Sequence, residues 1–175
     1  MTADTARLFI GLELSDEARA ALGGVREALQ EKGVAGKFHD ASLYHLTLCF
    51  LGNLPIADIP WLQRVMDSVP AAPFSLTLSS LGTFKGGSIL WAGVQSCPPL
   101  MAYQASLAAA LSEAGYALEP GEYTPHITLA RQVKSPVPPL KVPAESFPVR
   151  HATLFHSTRV EDKLTYLPIF RSVFR

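Results

Sequence analysis

The sequence predicts an α+β fold, bilobal, with two antiparallel sheets. Three observations carry that reading. Strand-like and helical stretches are interspersed along the chain, yet the later strands are joined by short hairpin-type links, which favours antiparallel pairing over a doubly wound parallel sheet. A strand-like motif occurs twice, as His45-Leu46-Thr47-Leu48 and His126-Ile127-Thr128-Leu129. That recurrence, with the order of the elements around it, points to two similar lobes related by a pseudo-two-fold repeat. The chain has 175 residues, 48% of them apolar and 17% charged, which suits one domain of two intimate lobes over residues 1–175.

Arg7 to Glu13 reads as the first strand. Ser15 has the character of an N-cap, with Asp16 and Glu17 in the first turn behind it. Ala18, Leu22, Val25 and Leu29 recur at helical spacing, and Gly33 supplies a stop. Leu43 to Leu51 is the strand of the first motif, closed by Gly52-Asn53. A second helix starts near Asp58-Ile59-Pro60, with Trp61, Leu62, Val65, Met66 and Val69 on its apolar side. Two strands follow, Phe74 to Leu81 and Ile89 to Val94, with Gly82 to Gly87 as a hairpin-like link. Pro98-Pro99 opens a third helix that buries Leu100, Tyr103, Leu107 and Leu111 and ends near Gly115. Tyr123 to Ala130 is the second motif strand. Gln132 to Pro143 holds four prolines and reads as an exposed loop. Two strands, Phe147 to Thr158 and Lys163 to Phe174, complete the order.

Formal net charge is zero, so extended wrapping of duplex nucleic acid, which needs a strongly basic surface, is disfavoured. A local basic patch for one phosphate is not. The two cysteines, Cys49 and Cys97, have neither metal-ligand spacing nor a disulfide framework. Met1-Thr2-Ala3-Asp4 lacks the features of a signal peptide, and no apolar run reaches membrane-spanning length. A cytoplasmic protein without a membrane partner is expected, and a monomer.

In a strand, side chains alternate faces, so His45 and Thr47 share one face, as do His126 and Thr128. Two imidazoles, each with a hydroxyl beside it, suit acid–base chemistry on a small anion such as a phosphate. The plain alternative is a pair of half-buried strands with solvated polar faces.

The residues also resemble the RNA 2′,3′-cyclic phosphodiesterases of the two-histidine (2H) phosphoesterase superfamily, also called the 2′–5′ RNA ligase family. The likeness runs through Arg7-Leu8-Phe9-Ile10, His45 to Gly52, Ile89-Leu90-Trp91-Ala92-Gly93-Val94, Pro125 to Arg131, Leu154-Phe155-His156-Ser157 and Tyr166. It implies sheets facing a central cleft with helices outside, and one histidine motif from each lobe. It implies metal-free, cofactor-free hydrolysis of RNA-terminal or nucleoside 2′,3′-cyclic phosphates to 2′-phosphomonoesters, with 2′–5′ ligation as the reverse. Carried over, His45 is the proton donor, His126 the proton acceptor, and Thr47 and Thr128 bind phosphate oxygens. The chain departs from the family where a tryptophan often precedes the first motif, since Phe38 stands there. It also has Gly87-Ser88 where many members carry an arginine before the strand that begins at Ile89.

Other residues have competing readings. Arg131 falls on the wrong face by strict alternation and reaches a phosphate only if the strand ends or bulges after Ala130; the resemblance favours function. Phe9, Phe50 and Tyr123 are candidates for stacking on a base, with core packing the default for Phe9 and Phe50. Cys49 shares the face of His45 by alternation but reads better as a small buried residue than as a nucleophile. His39-Asp40 reads as a loop. His151 and His156 fall on opposite faces and make no metal site. Two other functions compete with the enzyme. A non-catalytic module would bind a nucleotide or RNA end in the same cleft. A metal-dependent hydrolase would need carboxylate ligands that neither motif strand contains.

Overall fold

A computed structural model describes residues 4–175; Met1–Ala3, on which the reading of the N-terminus partly rests, lie outside the described residues. Strand β1 (Thr5–Glu13) leads into α1 (Asp16–Glu31). The cap is as expected: the Ser15 hydroxyl accepts from the Ala18 amide at 3.1 Å, satisfying one of the free N–H groups at the helix start. Ala18, Leu22, Val25 and Leu29 form its buried stripe. Next come a two-residue strand β2 (Lys37–Phe38), with no signal in the sequence, and β3 (His45–Pro55). β3 does not close at Gly52-Asn53. Leu51 is left without a partner opposite β1, and Gly52 takes φ +78°, a left-handed conformation that glycine adopts at little cost, so pairing resumes beyond it.

Helix α2 (Ile59–Ser68) buries Leu62, Val65 and Met66. Trp61, expected on the same side, is instead 47% exposed, with the Arg64 guanidinium 5.7 Å from its ring. β4 (Phe74–Phe84) outruns its expected end, shrinking the link to a tight turn at Lys85–Gly87 before β5 (Ile89–Val94). Helix α3 (Pro98–Glu113) buries the four residues expected. β6 starts late, at Ile127–Arg131, because Tyr123 to His126 make no ladder. Gln132 to Pro143 is irregular, as its prolines require. The expected strand from Phe147 to Thr158 breaks at Arg150 into β7 (Ser146–Val149) and β8 (His151–Val160). β7 pairs with β4 whereas β8 pairs with β1, so the chain changes sheets at that break. β9 (Lys163–Val173) ends the order.

The sheets are β3-β1-β8-β9 and β2-β6-β5-β4-β7, and every pairing is antiparallel. Apart from the short β2, each sheet begins with its motif strand. In each, the motif strand lies beside the strand that precedes a 16-residue helix: β1-α1-β3 in one half, β5-α3-β6 in the other. The repeat expected from the motif is therefore a repeat of topology. One apolar cluster runs through both halves, from Leu8, Ile10 and Leu46 to Leu90, Ile127 and Leu129. The motif strands β3 and β6 approach each other between the sheets.

Candidate active site

Each motif strand carries a bulge directly after its threonine. In β3, Thr47 lies opposite Gly11 and Cys49 opposite Ile10, leaving Leu48 unpaired. In β6, Thr128 lies opposite Trp91 and Ala130 opposite Leu90, leaving Leu129 unpaired. An extra residue reverses the alternation beyond it. Two expectations fail for this one reason. Cys49 leaves the face of His45 and joins Ile10 in the core, where burial pushes its thiol up to about 11. Phe50 leaves the core: it lies opposite Phe9 on the face of Thr47, is 39% exposed, and has the Arg7 guanidinium 4.9 Å above its ring. The bulge at Leu129 likewise brings Arg131 onto the face of Thr128. The condition set for Arg131 is met one residue earlier than expected, and Phe50 and Arg131 hold equivalent places in the two halves.

His45 is closely enclosed. Its ring lies 4.7 Å from Phe9, 5.9 Å from Phe155 and 5.1 Å from the edge-on Tyr166, centroid to centroid. Phe9 is buried as expected, but on the cleft face and against this histidine. His45 Nδ1 is 2.8 Å from the Leu43 carbonyl oxygen. A carbonyl only accepts, so Nδ1 carries the proton, and Nε2 is left to accept from the Thr47 hydroxyl at 2.8 Å. Burial disfavours the imidazolium and lowers its pKa to about 4; the Leu43 carbonyl opposes this, while charge on His39, His126 and Arg19 adds to it. Gly11 leaves room for the ring: a Cβ there would stand 2.9 Å from the Leu46 oxygen and 3.4 Å from His45.

His126 has the same anchor in a more open setting. Its Nδ1 is 2.8 Å from the Thr124 carbonyl oxygen, two residues back, as Leu43 is from His45. Phe84 meets the ring edge-on at 4.9 Å and Trp91 lies at 6.1 Å. Among the described residues nothing bonds its Nε2.

A cavity of about 740 Å³ opens here, lined among others by Thr47, Phe50, Phe84, Gln104, Tyr123 and His126. His45, Thr128 and Arg131 are outside that lining. The Tyr123 hydroxyl donates to the Thr47 carbonyl oxygen at 2.8 Å. Of the remaining histidines, His39 and His151 have other partners. His39 lies in the loop, its amide donating to the Leu129 carbonyl at 2.8 Å, and Asp40 caps a turn by accepting from the Ser42 amide. His151 bonds Glu13, together with Thr153 and a two-pronged Arg171. Among the described residues no three His, Cys, Asp or Glu side chains converge as a metal-ligand set. The sequence reading missed the enclosure of His45 by Phe155 and Tyr166, although both were within the resembling segments. It also missed Gln104, for which the sequence carries no signal.

Residues 14–161 match the sequence profile of the 2′-5′ RNA ligase superfamily. An RNA 2′,3′-cyclic phosphodiesterase of Geobacillus stearothermophilus is 33% identical over 74% of this chain, a match that takes in 43% of that protein's length. One of Thermotoga maritima is 27% identical over 85% of this chain and 87% of its own. The crystal structure of Escherichia coli LigT complexed with 3′-AMP superposes with a TM-score of 0.88 and 26% identity, covering 98% of this chain and 99% of that one.

Proposed function

The chain belongs to the 2′-5′ RNA ligase superfamily, and on that premise we propose that it hydrolyses 2′,3′-cyclic phosphates, on RNA ends or nucleosides, to 2′-phosphomonoesters. One observation carries the mechanism. Two imidazoles, one from each motif, have Nδ1 fixed by the carbonyl two residues back, which makes Nε2 the nitrogen that exchanges a proton, once the Thr47 hydroxyl turns from His45 Nε2 to the phosphate. A water oxygen attacks phosphorus as His126 Nε2 takes its proton. The bond from phosphorus to the ribose 3′ oxygen breaks, and that oxygen takes a proton from His45 Nε2. Each transfer contributes typically ~10²–10⁴-fold. Thr47 and Thr128 bind phosphate oxygens, Arg131 offsets the charge that grows on them, and Phe50 and Tyr123 line the nucleoside side.

The enclosure of His45 adds a condition. In the free protein it is neutral at ordinary pH, so the donor proton is taken up from solvent as the substrate binds, its negative charge beside the ring favouring the imidazolium. With a 5′-hydroxyl in place of water the same steps give a 2′–5′ phosphodiester, the ring strain supplying the energy. No metal is required, since no step calls for one and the two motifs bring no carboxylate. Residues 1–175 act as one domain and as a monomer; no helix among the described residues is long and apolar enough to cross a membrane.

The test is a panel of 2′,3′-cyclic mononucleotides and cyclic-ended oligonucleotides assayed in EDTA. The expected result is hydrolysis to 2′-phosphates. No hydrolysis of any member would overturn the activity, and loss in chelator restored by a divalent ion would overturn the metal-free mechanism.

A further inference from the structure

The bulge after Thr47 sets the aim of both Thr47 and Phe50, and it is tied down from outside its own sheet. β3 is an edge strand. In a regular edge strand only alternate carbonyls face away from the neighbour. Here two successive carbonyls, those of Thr47 and Leu48, take side-chain donors from other elements. The Tyr123 hydroxyl donates to the first at 2.8 Å, and the Gln104 amide, from α3, to the second at 3.1 Å. Gln104 also comes within 3.9 Å of the Cys49 sulfur. Tyr123 stands three residues before His126 in a segment with no ladder of its own, so its bond links the approach to the second motif with the first.

Resting on the cyclic phosphodiesterase reading, we propose that Tyr123 and Gln104 are positioning residues: they fix the β3 bulge and, through it, the aim of Thr47 at the phosphate. The Tyr123 hydroxyl is not available to substrate. Burial pushes its ionisation well above the usual tyrosine range. Its counterpart bulge, at Leu129, has a different support: Phe38 of β2 pairs with Ala130, and the His39 amide donates to the Leu129 carbonyl. The backbone secures the second motif, whereas two removable side chains secure the first.

The test is Tyr123→Phe, assayed on 2′,3′-cyclic AMP alone and combined with Thr47→Val or Thr128→Val. Loss of one well-placed hydrogen bond predicts about a tenfold fall in kcat with KM changed less than about twofold. In the Thr47→Val background the further loss should be under about twofold, while in the Thr128→Val background the full factor should persist. Gln104→Leu should behave as Tyr123→Phe does, giving a second readout if the tyrosine variant folds poorly. Equal losses in both backgrounds, or no loss in either variant, would overturn the proposal. Amide exchange, measured without substrate, keeps the two readings apart. Tyr123→Phe should speed exchange at Leu48 to Phe50 but not at Leu129 to Arg131, even if no activity exists. Unchanged exchange at both would also overturn it.

Discussion

The two motif strands carry nearly the same residues in unlike surroundings. His45 lies inside a ring of Phe9, Phe155 and Tyr166 with both nitrogens engaged. His126 stands just ahead of its strand, against Phe84 and Trp91, in the more open half. At the equivalent place five residues on, the first half offers the aromatic Phe50 and the second the cationic Arg131. A duplicated motif thus leaves its difference to its neighbours: one imidazole is enclosed by aromatic rings, while the other stands in a more open setting. The proposed function assigns the Phe50 ring, with Arg7 on one side of it, to a nucleoside and Arg131 to the phosphate.

The largest expected effects break the pair itself. His45→Ala and His126→Ala should each lower turnover at least ~10²-fold with folding intact, and the double variant should lose less than the product of the two. Near-normal turnover in either single variant would remove that histidine from proton transfer. The next contrast is between the equivalent residues. Arg131→Ala should cost roughly 10–100-fold in kcat/KM on every cyclic nucleotide, as expected for a charge-assisted contact to phosphate. Phe50→Ala should raise KM roughly tenfold, and unevenly among bases, as stacking does. If the base dependence followed Arg131 instead, the division between the halves would be wrong.

A smaller effect concerns stability. Only the first half has the Glu13 clamp. The Arg171 bonds, followed by those of Thr153 and His151, hold Glu13 down to about 2 against the burial that raises it. A carboxyl depressed in the folded state contributes stability that is fully present above its unfolded pKa, 4.5, and is lost as pH falls through about 2. Glu13→Gln should therefore destabilise by about 2 kcal/mol at neutral pH, with the difference from wild type closing over that acid window. Chemical denaturation at a series of pH values checks it; a constant difference down to pH 2 would contradict the clamp.

Local signals in the sequence carried most of the fold. The Ser15 cap and the stripe Ala18, Leu22, Val25 and Leu29 follow from short-range chemistry, and the structure keeps them. The motif faces survive as far as Thr47 and Thr128. The bulges were not legible, because Leu48 and Leu129 continue a regular alternation and only pairing with β1 and β5 shows that they are extra. That hid the outward turn of Phe50 and left Arg131 conditional. The break at Arg150 was hidden because an apolar strand on either side reads as one run, and the change of sheet depends on distant partners. Trp61 sits at a helical position that its apolarity misassigns, since a ring stacked by Arg64 tolerates exposure.

The central claim is that one proton is shared by two unequal imidazoles, and the pH dependence of wild-type turnover on 2′,3′-cyclic AMP in EDTA tests it most directly. Both kcat and kcat/KM should be bell-shaped, because the pair must hold one proton and not two or none. The acidic limb of kcat/KM, which reports the free enzyme, should lie near pH 4, where burial places His45. In kcat that limb should move upward as bound phosphate favours the imidazolium. A profile flat across about pH 5 to 9, with chemistry shown to be rate-limiting, would contradict the two-histidine mechanism.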